Sequence, residues 1–89
     1  MPKSIVVAGG IGRAQAISEL LGLESPFNTS TSAIKHGGAC RGFSNIDLIL
    51  IDESAEPLDE TVRQTLAALL AFSNGQMYRL ERINAEARP

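Results

Sequence analysis

Asp47-Leu48-Ile49-Leu50-Ile51-Asp52-Glu53 decides the fold of this chain. Its apolar, largely branched core has no polar interruption and stops at two acids. Such a run, extending back to Ile46, reads as a strand covered on both faces, which is the habit of parallel sheets. In open α/β sheets ligands gather at the carboxyl ends of the strands, and Asp52 stands at one. A plain alternative holds beside this: acids also finish strands simply to keep the chain end in water.

Outward from that strand, Ser4-Ile5-Val6-Val7-Ala8 repeats the pattern and is closed by Gly9-Gly10. The period then changes. Ile11, Ala14, Ile17, Leu20 and Leu21 recur at helical spacing, and Gly22 supplies a stop. On the other side, Pro57 suits the first turn of a helix, and Asp59 and Glu60 favour the positive end of its dipole. Leu58, Val62, Leu66, Leu69 and Leu70 line one face of that helix up to Phe72, and Asn74-Gly75 ends it. Gln76 to Ile83 alternates as a last strand. Met77, Arg79, Glu81 and Ile83 point one way and Tyr78, Leu80 and Arg82 the other, a mixture suited to a sheet edge.

Between Leu23 and Asn45 the pattern thins, yet a structureless loop of that length is foreign to a compact domain. Phe27-Asn28-Thr29-Ser30-Thr31 fits a polar edge strand, and Ser32 is positioned to cap a short helix through Ala33, Ile34 and Lys35 that Gly37-Gly38 interrupts. The order β-α-(β-α)-β-α-β with right-handed crossovers predicts a three-layer α/β/α fold around a short, mostly parallel sheet of three or four strands. Residues 1–89 form one small domain, with 84–89 expected to be a flexible tail.

Composition narrows the function. Eight Lys and Arg stand against ten Asp and Glu, and there are three Phe, one Tyr and no Trp. No basic stripe is available to follow a phosphate backbone and few rings are available to stack on bases, so nucleic acid is not an expected partner. The first apolar run ends at Ala8, too short for a signal segment or a membrane span. With Cys40 as the only cysteine, an internal disulfide is excluded and a cytoplasmic setting is expected. His36 and Cys40 lie four residues apart, the spacing of one helix face, but Gly37-Gly38 falls between them. The bland reading is an exposed histidine and an inert buried thiol.

The turn Gly9-Gly10-Ile11-Gly12-Arg13 joins the first strand to the first helix, the place where backbone N–H groups and a helix N-terminus hold phosphate. It resembles a P-loop without its working parts. Aligned from Gly9, the second glycine is Ala14, the lysine is Gln15 and the magnesium-binding hydroxyl is Ala16. Nucleotide hydrolysis therefore lacks its machinery. Phosphate- or nucleotide-binding candidates are Gly9, Gly10, Gly12, Arg13, Asp52 and Glu53. The plain reading of the glycines is a tight reversal of the backbone. The same turn is similar to that of short-chain dehydrogenases, but the chain has no Tyr-x-x-x-Lys pair, and Tyr78 is its single tyrosine.

Asp47-Leu48-Ile49-Leu50-Ile51-Asp52, taken with Lys3–Ala8, the following helix and the strand near Phe27, resembles a response-regulator receiver domain. The resemblance implies a flavodoxin-like fold and gives Asp52 the position of the phosphate acceptor, with Pro57 one residue later than usual. Receivers hold Mg²⁺ with two acids after the first strand. Gly9 and Gly10 occupy those places here, and the sequence given ends before the strand that bears the family's lysine. Phosphoryl transfer needs that metal. The resemblance thus implies a pseudo-receiver, with no catalytic residue, no metal and no cofactor.

The leading expectation is a small non-catalytic binding or regulatory protein, not an enzyme. It acts through contacts to another protein or to itself as a homodimer, with Met77, Tyr78, Arg79 and Leu80 as the candidate contact residues. The alternative is a nucleotide- or phosphate-binding protein with a degenerate P-loop and no hydrolytic activity.

Overall fold

A computed structural model describes residues 3–40, 43, 45–71 and 74–80. The elements run β1 (Ser4–Ala8), α1 (Ile11–Leu21), β2 (Phe27–Ser30), α2 (Thr31–Gly37), β3 (Leu48–Asp52), a 3₁₀ turn (Glu53–Ala55), α3 (Glu60–Leu70) and β4 (Gln76–Leu80). All strand pairs are parallel, in the order β2-β1-β3-β4. The three-layer α/β/α arrangement follows from which side chains the two sheet faces bury.

One face of the sheet carries Ile5, Val7, Ile49 and Ile51, and these pack against Ile34 of α2 and Val62 and Leu66 of α3. The other carries Val6, Ala8 and Leu50 under Ala14 and Ile17 of α1. Every residue of β1 is buried, which explains why its sequence shows no alternation: both neighbours in the strand face a helix layer. Burying a side chain the size of Leu66 or Ile49 contributes about 1.5–3 kcal/mol, so these two clusters account for most of the favourable term in folding.

The helix α1 spans the residues its periodicity indicates and ends on Gly22, which adopts the left-handed conformation at φ 68°. The short α2 is capped by Ser30, whose Oγ accepts from the Ala33 amide at 3.1 Å, not by Ser32. Ser30 is the last residue of β2, so the strand passes straight into the helix and the cap falls two residues earlier than the pattern indicates. For α3 the start is likewise corrected. Asp59 accepts from the Thr61 amide at 2.9 Å and fixes the first helical residue as Glu60, which leaves Pro57 in the preceding loop. Ile46 is fully buried ahead of β3, and the strand itself runs Leu48–Asp52, so Asp52 belongs to the ladder and pairs in register with Leu80.

β4 lies at one edge of the sheet and β2 at the other. The expected continuation of the last strand to Ile83, the tail 84–89 and the helix end at Phe72 lie outside the described residues. No helix among the described residues is long and apolar enough to cross a membrane.

Candidate functional site

Because β1 connects to β2 on one side and has β3 on the other, the strand order reverses between β1 and β3. A crevice at this switch point, beyond the carboxyl ends of the strands, is where doubly wound sheets place ligands. Ala8 and Asp52 end the two strands, Gly9 turns the chain into α1, and the 3₁₀ turn leaves β3 immediately after Asp52.

The carboxylate of Asp52 is fully buried. Its Oδ2 accepts from the Ser54 amide at 3.0 Å, from the Ser54 hydroxyl at 2.5 Å and from Arg13 Nε at 3.3 Å. Ser54 Oγ in turn accepts from the Gly9 amide at 2.9 Å. Burial pushes the Asp52 pKa up, but the hydrogen bonds from the Ser54 hydroxyl and amide and the Arg13 guanidinium outweigh it and hold the group below the ordinary aspartate value. Asp52 is therefore an anion at neutral pH. Its Oδ1 is buried and finds no hydrogen-bond donor among the described residues.

Three of the six residues marked for phosphate or nucleotide, Gly9, Arg13 and Asp52, thus meet in one network, and the network turns them toward one another. The Gly9 amide donates to Ser54, and Arg13 donates to Asp52. A Cβ on Gly9 would stand 2.7 Å from the Ser54 carbonyl oxygen, so glycine is required there by close backbone approach. Gly10 and Gly12 differ. Both are exposed, and a Cβ on either would meet nothing within 4 Å. Gly10 is the N-cap of α1, which has no side-chain cap and no acid in its first turn. Glu53 is exposed at the start of the 3₁₀ turn.

Ser54 is the member of this network that the sequence reading passed over. The signal was local: an Asp followed two residues later by Ser is the spacing of a side-chain-capped turn. Among the described residues no group of three His, Cys, Asp or Glu side chains is arranged to hold a metal ion. Cys40 is buried, and burial raises its thiol pKa to about 11. α2 ends at Gly37, before Cys40, and His36 is exposed on its last turn. The two share no helix face.

The contact candidates lie on β4. Met77 and Arg79 are in register with Ile49 and Ile51 on the face that α3 covers, and Tyr78 and Leu80 with Leu50 and Asp52 on the α1 face. Tyr78 is 52% exposed. Leu80 is half-buried against Leu50 and its neighbours. On the α3 side an open groove of about 560 Å³ runs along the strand, with Leu58, Ala67 and Met77 in it and Glu56, Arg63 and Arg79 at its rim. Arg79 Nε sits 2.7 Å from Glu56 Oε1, a charge contact that lacks hydrogen-bond alignment. No protein-family model, curated protein or solved structure matches this chain.

Proposed function

We propose that this chain is a non-catalytic binding protein that works through protein–protein contact along β4. The observation that carries the reading is the state of that strand. A parallel sheet is ordinarily covered on both faces, yet β4 is an edge strand with Tyr78 half in water on one face and an open groove beside Met77 on the other. Edge strands left in this condition invite pairing unless something covers them. The switch-point network supports the same reading from the other direction, because its donors already have acceptors within the chain.

Light scattering coupled to size exclusion, run on the purified chain and on the chain mixed with cell extract, tests this. The expected result is a species heavier than the monomer that Tyr78→Glu removes and Glu19→Gln, on the exposed side of α1, leaves in place. A monomer under both conditions refutes the reading.

A second reading, nucleotide or phosphate binding without hydrolysis, has one observation in its favour: α1 opens with an uncapped N-terminus beside the exposed Gly10 and Gly12. Isothermal titration with ATP, GTP and NAD, each with Mg²⁺, decides it. Heat that Gly12→Val abolishes and Leu66→Ile retains supports it, and absence of heat from all three ends it.

A further inference from the structure

The hydrogen-bonding direction of β4 names the partner its edge fits. The Gln76 amide donates to the Asp47 carbonyl at 2.9 Å, so the N–H and C=O of Gln76 face β3. In a strand these groups alternate sides residue by residue. Those of Tyr78 and Leu80 therefore also face β3, and those of Met77 and Arg79 point outward from the sheet, where no described strand meets them. The outer edge offers two donors and two acceptors, carried by residues two apart.

We infer that this edge receives the β4 of a second copy of the same chain, antiparallel, about a twofold axis through Tyr78. The inference rests on the association reading above and specifies its partner. In this register Met77 faces the partner's Arg79 and Arg79 faces the partner's Met77. Both members of each pair point outward, so each forms the closely spaced double hydrogen bond of an antiparallel ladder, and all eight outward groups of the two edges are satisfied. Tyr78 then meets the partner's Tyr78 as a non-hydrogen-bonded pair, with Cα atoms about 4.5 Å apart and rings in reach of each other.

The neighbouring symmetric registers fit less well. An axis through Arg79 sets guanidinium against guanidinium, which is destabilising for directly opposed like charges. An axis through Met77 sets Arg79 against the partner's Gly75, which precedes the strand and follows Asn74, where the chain leaves the strand direction at φ 55°. Charge also agrees with the Tyr78 register. Each Arg79 faces an uncharged Met77, and its own guanidinium is already balanced by Glu56. The groove along the α3 side leaves space beside β4 for the stem of the partner's Arg79 to lie across Met77. The other edge does not offer the same fit: β2 has four residues, starts after Pro26 and runs directly into α2.

Sedimentation equilibrium is expected to show a dimer. Met77→Pro removes one outward donor per chain and no bond to β3, and proline is tolerated at such an edge position. Losing two inter-chain hydrogen bonds weakens the dimer roughly 5- to 150-fold. Because the proline variant can fail to fold, a second measurement is made in a Cys40→Ala background. Tyr78→Cys is expected to oxidise to a covalent dimer, since paired Cα atoms about 4.5 Å apart accept a disulfide. Gln76→Cys is expected not to, since its copy lies roughly 13 Å away along the ladder. A monomer at all concentrations, a dimer that a folded Met77→Pro variant leaves at full strength, or cross-linking at 76 in preference to 78 overturns the inference. A chain that is monomeric alone but forms a Tyr78-dependent complex with a different protein overturns it while leaving the functional reading intact. Loss of every association overturns both.

Discussion

Replacing Asp52 by asparagine is expected to lower stability by about 2 kcal/mol at pH 7, and by progressively less in acid. The amide keeps the shape of the carboxylate and one oxygen to accept from Ser54 and Arg13, so the change isolates charge. Either amide orientation leaves a buried polar atom without a partner, as Oδ1 is now, so that penalty cancels in the comparison. For the ion pair, 3.3 Å between Arg13 Nε and Asp52 Oδ2 corresponds to about 5 kcal/mol at an effective dielectric of about 20, and about 1 kcal/mol in water. The Asp52 side chain is 1% exposed and that of Arg13 36%, so the pair falls between exposed bridges, worth about 0–1 kcal/mol, and buried ones, where losing one partner costs about 3–5 kcal/mol. About 2 kcal/mol results. In a domain of this size it corresponds to a fall in Tm of roughly 8–16 °C.

The pH dependence carries the sharper test. The folded-state pKa of Asp52 is depressed, so its stabilisation is fully present above the ordinary aspartate range and is lost as pH falls through the folded value. Asp59 and Glu60, held low chiefly by hydrogen bonds from Lys35 and Arg63, make both proteins acid-sensitive and drop out of the difference. Urea unfolding of the two proteins between pH 7 and pH 2.5 therefore measures Asp52 alone. A gap that stays constant across that range, or an asparagine variant as stable as the parent at pH 7, refutes the account of the network.

Two glycines of the same turn separate in opposite directions. Gly9→Ala pushes a methyl group against the Ser54 carbonyl and is expected to destabilise by about 1–3 kcal/mol, whereas Gly12→Ala, in open space within α1, is expected to stabilise by about 0.5–1 kcal/mol. Thermal unfolding of both variants checks the pair, and equal effects would show that the turn is not packed as described. Cys40, with its pKa near 11, holds about one part in a thousand as thiolate at pH 8. Its alkylation by iodoacetamide is expected to be slow in the folded chain and to accelerate on denaturation, and rapid modification of the native protein would contradict its burial.

The parts of this molecule that were legible in the sequence are those where one local signal had no competitor. Ser4–Ala8 and the core of β3 are buried on both faces, and an unbroken apolar run records that directly. Ile11–Leu21 could be bounded at both ends because Gly10 and Gly22 flank a clean helical period. β2 and α2 were harder: Phe27 is the one strongly apolar residue of its strand, and two serines competed for the cap that only tertiary position assigns to Ser30. In the switch-point network, Asp52 and Gly9 stood out through their places in the strand pattern. Ser54 stood out less: its spacing from Asp52 is a local turn signal, but its bond to the Gly9 amide comes from 45 residues away in sequence.

What the open edge presents depends on how β4 is held against the rest of the sheet. Asp52 closes the carboxyl end of β3, directly beside Leu80 in the ladder, and its bonds to Ser54 and Arg13 tie the end of β3 to the turn after it and to α1. Among the described residues β4 has β3 as its one neighbour in the sheet, while Met77 and Leu80 pack on its two faces and Arg79 meets Glu56. The register that sets Gln76 opposite Leu48 is what turns the backbone of Met77 and Arg79 outward. A one-residue slip would turn the backbones of Gln76, Tyr78 and Leu80 outward instead and carry Tyr78 to the α3 face. Such a slip would also remove Met77, Leu80 and Arg79 from the contacts they make now, so packing on both faces of β4 defines which groups the sheet presents at its open side.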